Sequence, residues 1–188
     1  VTDDFFCLLD DGEQLVSGAS FRAMADMAVG RFPVRTAAEA KVMVDKVEDY
    51  MNNTEAGAWQ NTVAFMGDDG NNNIHMNDAE KAATIVESNR PAYEVKRIYW
   101  DAYNRASSST GHTYPEAQAL VNQLMNNGAL MMNYSGHGAP YYISAEKVLT
   151  ATDFKNNRNK RLPLWFTASC DIMPFDGLKE TIGETMVL

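Results

Sequence analysis

The sequence predicts an α/β fold with a largely parallel sheet. From residue 56 onward, short apolar runs that suit strands alternate with longer amphipathic runs that suit helices. Three of the apolar runs end on residues that carry chemistry, namely Asp68 with Asp69, His137, and Cys170. The carboxyl ends of parallel strands lie at one edge of a sheet, where ligands bind, so these residues should converge there.

Composition limits both the size of the protein and its partners. The chain has 188 residues, of which 45% are hydrophobic and 22% charged, enough for the core of one domain or one and a fraction. A net charge of −9 without a basic stripe disfavours nucleic acid and anionic membrane surfaces as partners. No apolar run reaches the about 18 residues of a membrane span, and residues 1–4 do not resemble a signal peptide. We interpret the chain as a piece excised from a longer protein.

The cysteine content excludes a disulfide framework and a zinc site. The two cysteines, Cys7 and Cys170, are too few and too far apart in sequence for either arrangement. At least one thiol should therefore be free. Cys7 lies in the apolar segment 5–9 and is best interpreted as a small buried hydrophobic residue.

The first 55 residues should contain little regular structure before one helix. Residues 1–35 predict an edge strand with acidic turns, and within them 28–34 form a second extended piece that Pro33 bars from the middle of a sheet. A helix should start at Thr36, because Glu39 three residues later completes a capping box. Its apolar stripe comprises Ala40, Val44, Val47 and Met51.

The remainder predicts strands that alternate with helices. The strands are expected at 62–66, 93–99, 130–134 and 163–169. One helix should be capped by Asn77 with Glu80 in third position, and another should cover 115–126 before the stop signal at Gly128. A Ser-rich loop should connect the second strand to the second helix, and 144–159 is a mixed segment.

The pairing of His137 with Cys170 indicates chemistry. His137 lies between Gly136 and Gly138, which can take positive φ and allow close approach of the backbone to a ligand. Either His137 or Cys170 alone is more often structural. Both close an apolar strand, however, and together they form the pair that a thiol nucleophile needs.

Several segments of the chain resemble one known family. They are residues 133–138, 164–171, 174–176 and 182–184, with further matches at 3–6, 8–11 and 30–36. These segments look like the catalytic core of the gingipain-type cysteine peptidases, peptidase family C25, and also like the branch of that family that acts as the sortase of type IX secretion. The resemblance covers nearly the whole chain.

The resemblance implies a fold and a division into domains. The expected fold is the caspase-like, three-layer α/β fold of gingipains, with a mainly parallel sheet that is truncated after the nucleophile. Residues 1–55 would be the closing part of an N-terminal α/β subdomain, and 56–188 would be the catalytic subdomain, incomplete at its C-terminus. The free flank of the sheet would then attract an edge-strand partner or a missing segment.

The resemblance also implies a mechanism. A thiolate of Cys170 would attack a peptide carbonyl and His137 would protonate the leaving amine, while the backbone N–H groups of Gly138 and Cys170 form the oxyanion hole. Asp69 best matches the family's acidic residue near the histidine and would orient the imidazole, with Asp68 pointing elsewhere. The alternative for Asp69 is a turn aspartate that caps its own loop.

The implied activity is that of a cysteine endopeptidase, or of a sortase that transfers peptides, acting on a protein or peptide substrate. The alternative is a non-catalytic module of a secretion or surface assembly that retains the fold. The family implies a secreted or cell-surface location. No cofactor is required and no metal ligand is assigned, although structural calcium occurs in the family. His75 and His112 are interpreted as loop residues, and Ile74 stands where an EF-hand needs glycine.

Overall fold

The fold is centred on a parallel sheet covered by helices, seen in a computed structural model that describes residues 3–13, 24–109 and 111–188. The helices of these residues are α1 Ala37–Met51, α2 Ile74–Asn89, α3 Pro115–Asn127, α4 Ala151–Asn156 and α5 Ile182–Val187. The strands are β1 Thr62–Gly67, β2 Glu94–Tyr99, β3 Ala106–Ser108, β4 Gly111–Thr113, β5 Met131–Ser135, β6 Gly138–Ala139, β7 Tyr142–Ile143, β8 Leu149–Thr150 and β9 Leu164–Ala168.

The main sheet contains the four strands that the sequence predicted. Their order is β2-β1-β5-β9, and every neighbouring pair is parallel. Helix α2 connects β1 to β2, and α3 lies between β2 and β5 along the chain. The predicted α/β fold with a mainly parallel sheet is therefore confirmed.

The sheet is covered on both faces, which makes three layers. Successive side chains of β1 point to opposite faces, because a strand has a side-chain period of two. Val63 and Phe65 pack with Ala79 and Ala83 of α2. The opposite face carries the larger core, in which Ala64, Met66 and Met132 pack with Val121 and Met125 of α3. Burial on both faces explains why the β1 sequence is an almost continuous apolar run.

Helix α1 begins as predicted but buries a different face. The Thr36 hydroxyl accepts from the Glu39 backbone N–H at 3.2 Å, and a Glu39 carboxylate oxygen accepts from the Thr36 N–H at 3.1 Å, so the capping box is confirmed. The predicted apolar stripe is wrong, since Val47 is 47% exposed and Met51 is 79% exposed. The buried residue of α1 is Met43.

Helix α2 begins four residues earlier than the capping pattern indicated, with Asn73 and not Asn77 as its N-cap. Its first residue is Ile74, and Asn77 lies inside the helix instead of capping it. The reason is the preceding loop, in which Asn71, Asn72 and Asn73 all have left-handed backbone angles. Ile74 is the first residue after this loop with right-handed helical angles, so the helix begins there.

The N-terminal part differs from the predicted strands. The described residues of the expected edge strand contain a 3-10 turn at Asp4–Cys7 and no strand. Residues 28–34, predicted as an extended piece outside the middle of a sheet, belong to no strand. Residues 14–23 of this segment lie outside the described residues. Cys7 is buried, as predicted, and both cysteines are free thiols.

The segments interpreted as loops contain short regular elements. Strands β3 and β4 form an antiparallel hairpin within the Ser-rich connection. Directly after His137, β6, β7 and β8 form a small antiparallel sheet, and α4 follows it. No helix in the described parts of the chain is long and apolar enough to cross a membrane.

Helix α5 ties the end of the described chain to its beginning. The guanidinium of Arg35 forms an ion pair with the buried carboxylate of Glu184 at 2.8 Å. Lys46 of α1 donates to the carbonyl of Val187 at 2.9 Å. The proposed boundary between 1–55 and 56–188 stays a prediction, and these bonds connect its two sides.

Candidate active site

His137 and Cys170 follow adjacent parallel strands at the same edge of the sheet. In the β5–β9 pair, Ser135 is opposite Ala168, and the Gly136 N–H donates to the Ala168 carbonyl at 3.2 Å. His137 and Cys170 lie just beyond this last bond, and both side chains are exposed. The predicted placement at adjacent strand ends is confirmed.

The residues next to Cys170 and His137 have special backbone angles or close packing. Asp171, directly after Cys170, has a left-handed φ of 53°. The chain therefore leaves the extended conformation directly after the cysteine. Gly138 is needed for space, because a Cβ there would lie 2.6 Å from the Cys170 carbonyl oxygen. Gly136 would likewise bring a Cβ to 2.5 Å from the Cβ of Asp68. Neither glycine has positive φ, so close packing and not backbone freedom explains the Gly-His-Gly pattern.

Asp68 holds the main chain of the histidine loop. Its Oδ2 accepts from the His137 backbone N–H at 2.9 Å, and its Oδ1 accepts from the Asp69 N–H at 3.0 Å. The Tyr134 hydroxyl lies 3.1 Å from Oδ2 and 2.7 Å from the His137 carbonyl oxygen. The expectation that Asp68 points elsewhere is therefore wrong: it is the aspartate that contacts the histidine loop.

Burial and hydrogen bonds shift the pKa of the Asp68 carboxyl in opposite directions. Burial raises the pKa of the Asp68 carboxyl, and the hydrogen bonds from His137, Tyr134 and Asp69 oppose this effect without cancelling it. Burial and the Asp68 charge raise the pKa of the Tyr134 hydroxyl, which therefore stays protonated and can donate. The loop is anchored by a carboxylate in a protein interior, where hydrogen bonds to a charged acceptor are strong.

Asp69 contacts a tyrosine and not the imidazole. Its Oδ2 accepts from the Tyr114 hydroxyl at 2.7 Å, and burial followed by this bond raises the pKa of Tyr114. Among the described residues no hydrogen bond joins Asp69 to His137. The geometry expected for Asp69 as the residue that orients the ring is thus not what the structure has.

The imidazole of His137 is instead bonded to an amide. The Asn71 Nδ2 lies 2.7 Å from Nε2 of His137 and 3.3 Å from Nε2 of His75. The two rings form an edge-to-face pair with centroids 5.0 Å apart. Within the described chain no hydrogen bond joins the His137 ring to the Cys170 thiol. His75, interpreted from sequence as a loop residue, lies in the first turn of α2 beside the site, whereas His112 lies away from it in β4, bonded to Ser107.

Oxygen ligands for a cation are present behind the histidine. Carboxylate oxygens of Asp68, Asp69 and Glu146 lie within 4.8 Å of one another. Burial, together with the charges of the two aspartates, raises the pKa of Glu146. Its Oε2 and the Oγ of buried Ser144 lack a hydrogen-bond partner. An all-oxygen set with unsatisfied atoms fits a hard cation such as Ca²⁺. A second acidic group, Asp10, Glu13 and Asp26, lies near the surface.

Sequence reasoning missed the polar residues around the two aspartates. These are Asn71, His75, Tyr114, Tyr134 and Glu146. One signal was available: three consecutive asparagines follow a strand end, and asparagine tolerates left-handed backbone better than other non-glycine residues. Tyr134, by contrast, has the pattern of an ordinary core strand residue.

Comparison with known proteins identifies the family. The sequence profile of Peptidase family C25 matches residues 1–188. The chain belongs to this family. No sequence among the curated proteins matches the chain.

Solved structures support the same fold for this C25 chain. The Arg-specific cysteine proteinase gingipain R (RgpB) superimposes with a TM-score of 0.65 at 15% identity over 87% of the chain. A structure described as a protease superimposes with a TM-score of 0.69 at 19% identity over the whole chain. The complex of Porphyromonas gingivalis RgpB pro- and mature domains has a TM-score of 0.58 at 16% identity, over 87% of the chain.

The match covers only part of those proteins. The C25 chain spans 36–37% of the length of the solved chains. The family match and the superpositions show a cysteine peptidase fold with the α/β architecture of the gingipains. The family is one of hydrolases.

Proposed function

We propose that the C25 chain carries the nucleophile and the acid of a cysteine endopeptidase. Cys170 is the nucleophile and His137 is the general acid–base. One observation supports this proposal. Both side chains are exposed, and both residues follow the last backbone hydrogen bond between the ends of β5 and β9. The loop that carries His137 is bonded to a buried carboxylate, so its backbone has a defined place beside the thiol.

The proposed reaction uses one proton carried by the histidine. His137 takes the proton of the Cys170 thiol, and the thiolate forms a bond to the peptide carbonyl carbon. The oxygen becomes an oxyanion, which the N–H groups of Gly138 and Cys170 stabilise by about 3 kcal/mol per donor. The C–N bond then breaks and His137 gives its proton to the leaving amine. A thioester on Cys170 remains.

The fate of the thioester distinguishes two activities. Attack by water gives hydrolysis, and attack by an amine gives the transpeptidation expected of a sortase. The resemblance to the type IX secretion branch, and with it a secreted or cell-surface location, supports transfer to an amine. Incubating a thioester-forming peptide with added amine and identifying the products by mass spectrometry tests this: only hydrolysed product would exclude the sortase role.

A non-catalytic module of a secretion or surface assembly is the second candidate. One observation favours it, because the described residues contain no hydrogen bond between the His137 ring and the Cys170 thiol, and the ring is bonded to Asn71. In such a module the fold would serve binding, and Cys170 would behave as an ordinary exposed thiol.

Thiol reactivity separates the two candidates. The rate of alkylation of Cys170 by iodoacetamide would be measured against pH in the unaltered chain and in His137→Ala. An activated thiol reacts much faster than an ordinary one near neutral pH and loses this advantage in His137→Ala. Cys7 is the other thiol of the chain and is buried. Alkylation that remains in Cys170→Ala therefore gives the background of the assay. Equal rates in the unaltered chain and His137→Ala would support the binding module.

Calcium binding behind the histidine loop is also proposed. Asp68, Asp69 and Glu146 would hold the ion, and its charge would offset the repulsion among the three carboxylates. No catalytic step uses the ion. We expect Ca²⁺ to raise the melting temperature of the unaltered chain and to have a smaller effect on Glu146→Gln. An equal effect on both chains would place any bound ion elsewhere, with the surface group Asp10, Glu13 and Asp26 as the alternative.

The free edge of β9 is the proposed location of a strand partner. In the described structure β9 pairs only with β5, and Leu164 and Phe166 are more than half exposed. Such an edge invites pairing with another strand. Strand β9 ends at Ala168, two residues before Cys170, so an extended peptide substrate added to β9 would run toward the thiol. Protection of β9 amides from hydrogen exchange on adding a peptide would support this placement.

A further inference from the structure

One amide connects two imidazoles at the proposed site. The NH₂ group of Asn71 lies 2.7 Å from Nε2 of His137 and 3.3 Å from Nε2 of His75. An amide NH₂ carries two hydrogens, so it can donate to both rings at once. Both Nε2 atoms then act as acceptors. In a neutral imidazole this arrangement leaves the hydrogen on Nδ1, so the contact selects one tautomer of each ring.

The loop that carries Asn71 has an unfavourable backbone. Gly70 has a φ of 71°, and Asn71, Asn72 and Asn73 follow with φ of 46°, 55° and 61°. Left-handed residues other than glycine cost about 1–2 kcal/mol each, and asparagine is among the few that adopt this region regularly. The strain lies at the carboxyl end of β1, beside His137. Residues in such conformations cluster at functional sites, where the surrounding structure maintains them.

We propose that Asn71 is a positioning residue that fixes the tautomer and orientation of His137, a role that rests on the proposed peptidase function. The Nε2 edge of the ring is held by the amide, which leaves the Nδ1–H edge free to donate to the thiolate and to the leaving amine. The proton that the Cys170 thiol gives up therefore enters the ring at Nε2, the nitrogen with the lone pair. When the ring is protonated, Nε2 also carries a hydrogen, and the amide can turn over so that its Oδ1 accepts. An amide therefore suits both protonation states, whereas a carboxylate would accept only from Nε2–H.

The contact differs from the one that the sequence predicted. Asp69 was expected to orient the ring, but its Oδ2 is bonded to Tyr114. Asn71 contacts the ring from the left-handed loop that follows β1. His75 completes the arrangement from the first turn of α2 and packs edge-to-face against His137.

Substitutions in the same turn provide a matched test. Asn71→Gly removes the amide, and glycine accepts a φ of 46° without strain. Asn72→Gly is the control, because it makes the same change at the next left-handed residue, whose side chain has no hydrogen bond in the described structure. Asn71→Asp keeps the size of the side chain and replaces the donor with an acceptor.

The tautomer is measured by ¹⁵N NMR of the three histidines at a pH of about 8.5, above the ordinary titration range of imidazole. We expect His137 to be protonated on Nδ1 in the unaltered chain and in Asn72→Gly. Asn71→Gly should give a mixture, and Asn71→Asp should shift the hydrogen to Nε2. His112, bonded to Ser107, is the internal reference.

The rate of Cys170 alkylation is the second measurement. Because the ring would lose its orientation, we expect Asn71→Gly to lower the His137-dependent rate by about 10- to 100-fold. An unchanged tautomer and rate in Asn71→Gly would overturn the positioning role. If Asn71→Gly does not fold, Asn71→Asp provides the test: a His137 ring that is still protonated on Nδ1 in this variant would also overturn the positioning role. If alkylation in the unaltered chain is independent of His137, the peptidase proposal fails, while the tautomer result still decides the role of Asn71.

Discussion

The backbone N–H of His137 donates to the carboxylate of Asp68 at 2.9 Å, although 69 residues separate them in the chain. The bond links the end of β5 to the end of β1, which are neighbours in the sheet. It places the histidine loop by its main chain and leaves the ring to other contacts. Asp68 therefore acts on the position of the loop, whereas the contact of Asn71 is with the ring itself.

Asp68→Asn should loosen the histidine loop. An amide has one acceptor oxygen for the donors that now surround the carboxylate, and its NH₂ group would face N–H groups. We expect the free energy of unfolding to fall by about 1–3 kcal/mol, measured by urea denaturation, together with a slower alkylation of Cys170. Asp78→Asn, on the exposed face of α2, is the control. Unchanged stability and unchanged alkylation would contradict the anchoring role.

Asp69→Asn should have a small effect on the thiol. The Tyr114 hydroxyl can donate to the oxygen of an amide as it does to Asp69, and neither group is bonded to His137. We expect the alkylation rate of Cys170 to change by less than about threefold, or about 0.7 kcal/mol. A loss as large as in His137→Ala would restore Asp69 as the partner of the ring.

Gly138→Ala should displace the nucleophile. The added Cβ would lie 2.6 Å from the Cys170 carbonyl oxygen and 2.8 Å from Cγ1 of Ile172, so the backbone on one side must move. A shift of about 1 Å between catalytic groups can cost about 100-fold in rate. Peptide hydrolysis and alkylation should both fall. Gly177→Ala, whose Cβ would meet atoms only at 3.9 Å, should leave both unchanged.

Glu184 should make stability depend on pH. Burial raises its pKa, but the hydrogen bonds from Thr181 and Arg35 outweigh burial and hold the pKa below the usual 4.5. Between the folded pKa and 4.5 the unfolded chain binds more protons, so this contribution is complete above about pH 4.5 and is lost as pH falls. At pH 7, Glu184→Gln should lower the free energy of unfolding by about 1–3 kcal/mol.

The pH profile provides the check on this prediction. The difference in unfolding free energy between the unaltered chain and Glu184→Gln should be constant above about pH 5 and should narrow as pH falls below 4.5. Glu48→Gln, at an exposed position of α1, should show neither effect. A difference that is constant down to pH 3 would show that the charge of Glu184 contributes nothing.

Much of the fold was predictable because β1, β5 and β9 are short, mainly apolar segments followed by polar residues. Burial on both faces of a parallel sheet explains the almost continuous apolar run of β1. The carboxyl ends of parallel strands lie at one edge of the sheet, which brought His137 and Cys170 together. The face of α1 was not predictable. Its stripe at Val44 and Val47 looks like a core-facing surface, but only the packing of the other elements decides which face is covered.

The roles of the two aspartates were beyond sequence reasoning for a geometric reason. Asp68 and Asp69 are adjacent, and neighbouring residues at a strand end point in different directions. Nothing in the sequence indicates which one points toward His137. The turn at 71–73 had a visible signal in its asparagines, but the target of the Asn71 side chain depends on where β5 ends in space.

The anchoring of the histidine loop determines how the site can move. The Asp68 carboxylate holds the N–H of His137, and the Ser144 N–H donates to its carbonyl at 2.9 Å. With both backbone groups bonded, the remaining freedom is rotation of the ring about its own torsions, which the Asn71 amide and the edge-to-face contact with His75 restrict. Side-chain rotations are faster by orders of magnitude than loop rearrangements. Approach of the imidazole to the thiol would therefore require release of the Asn71 bond and no rearrangement of the loop.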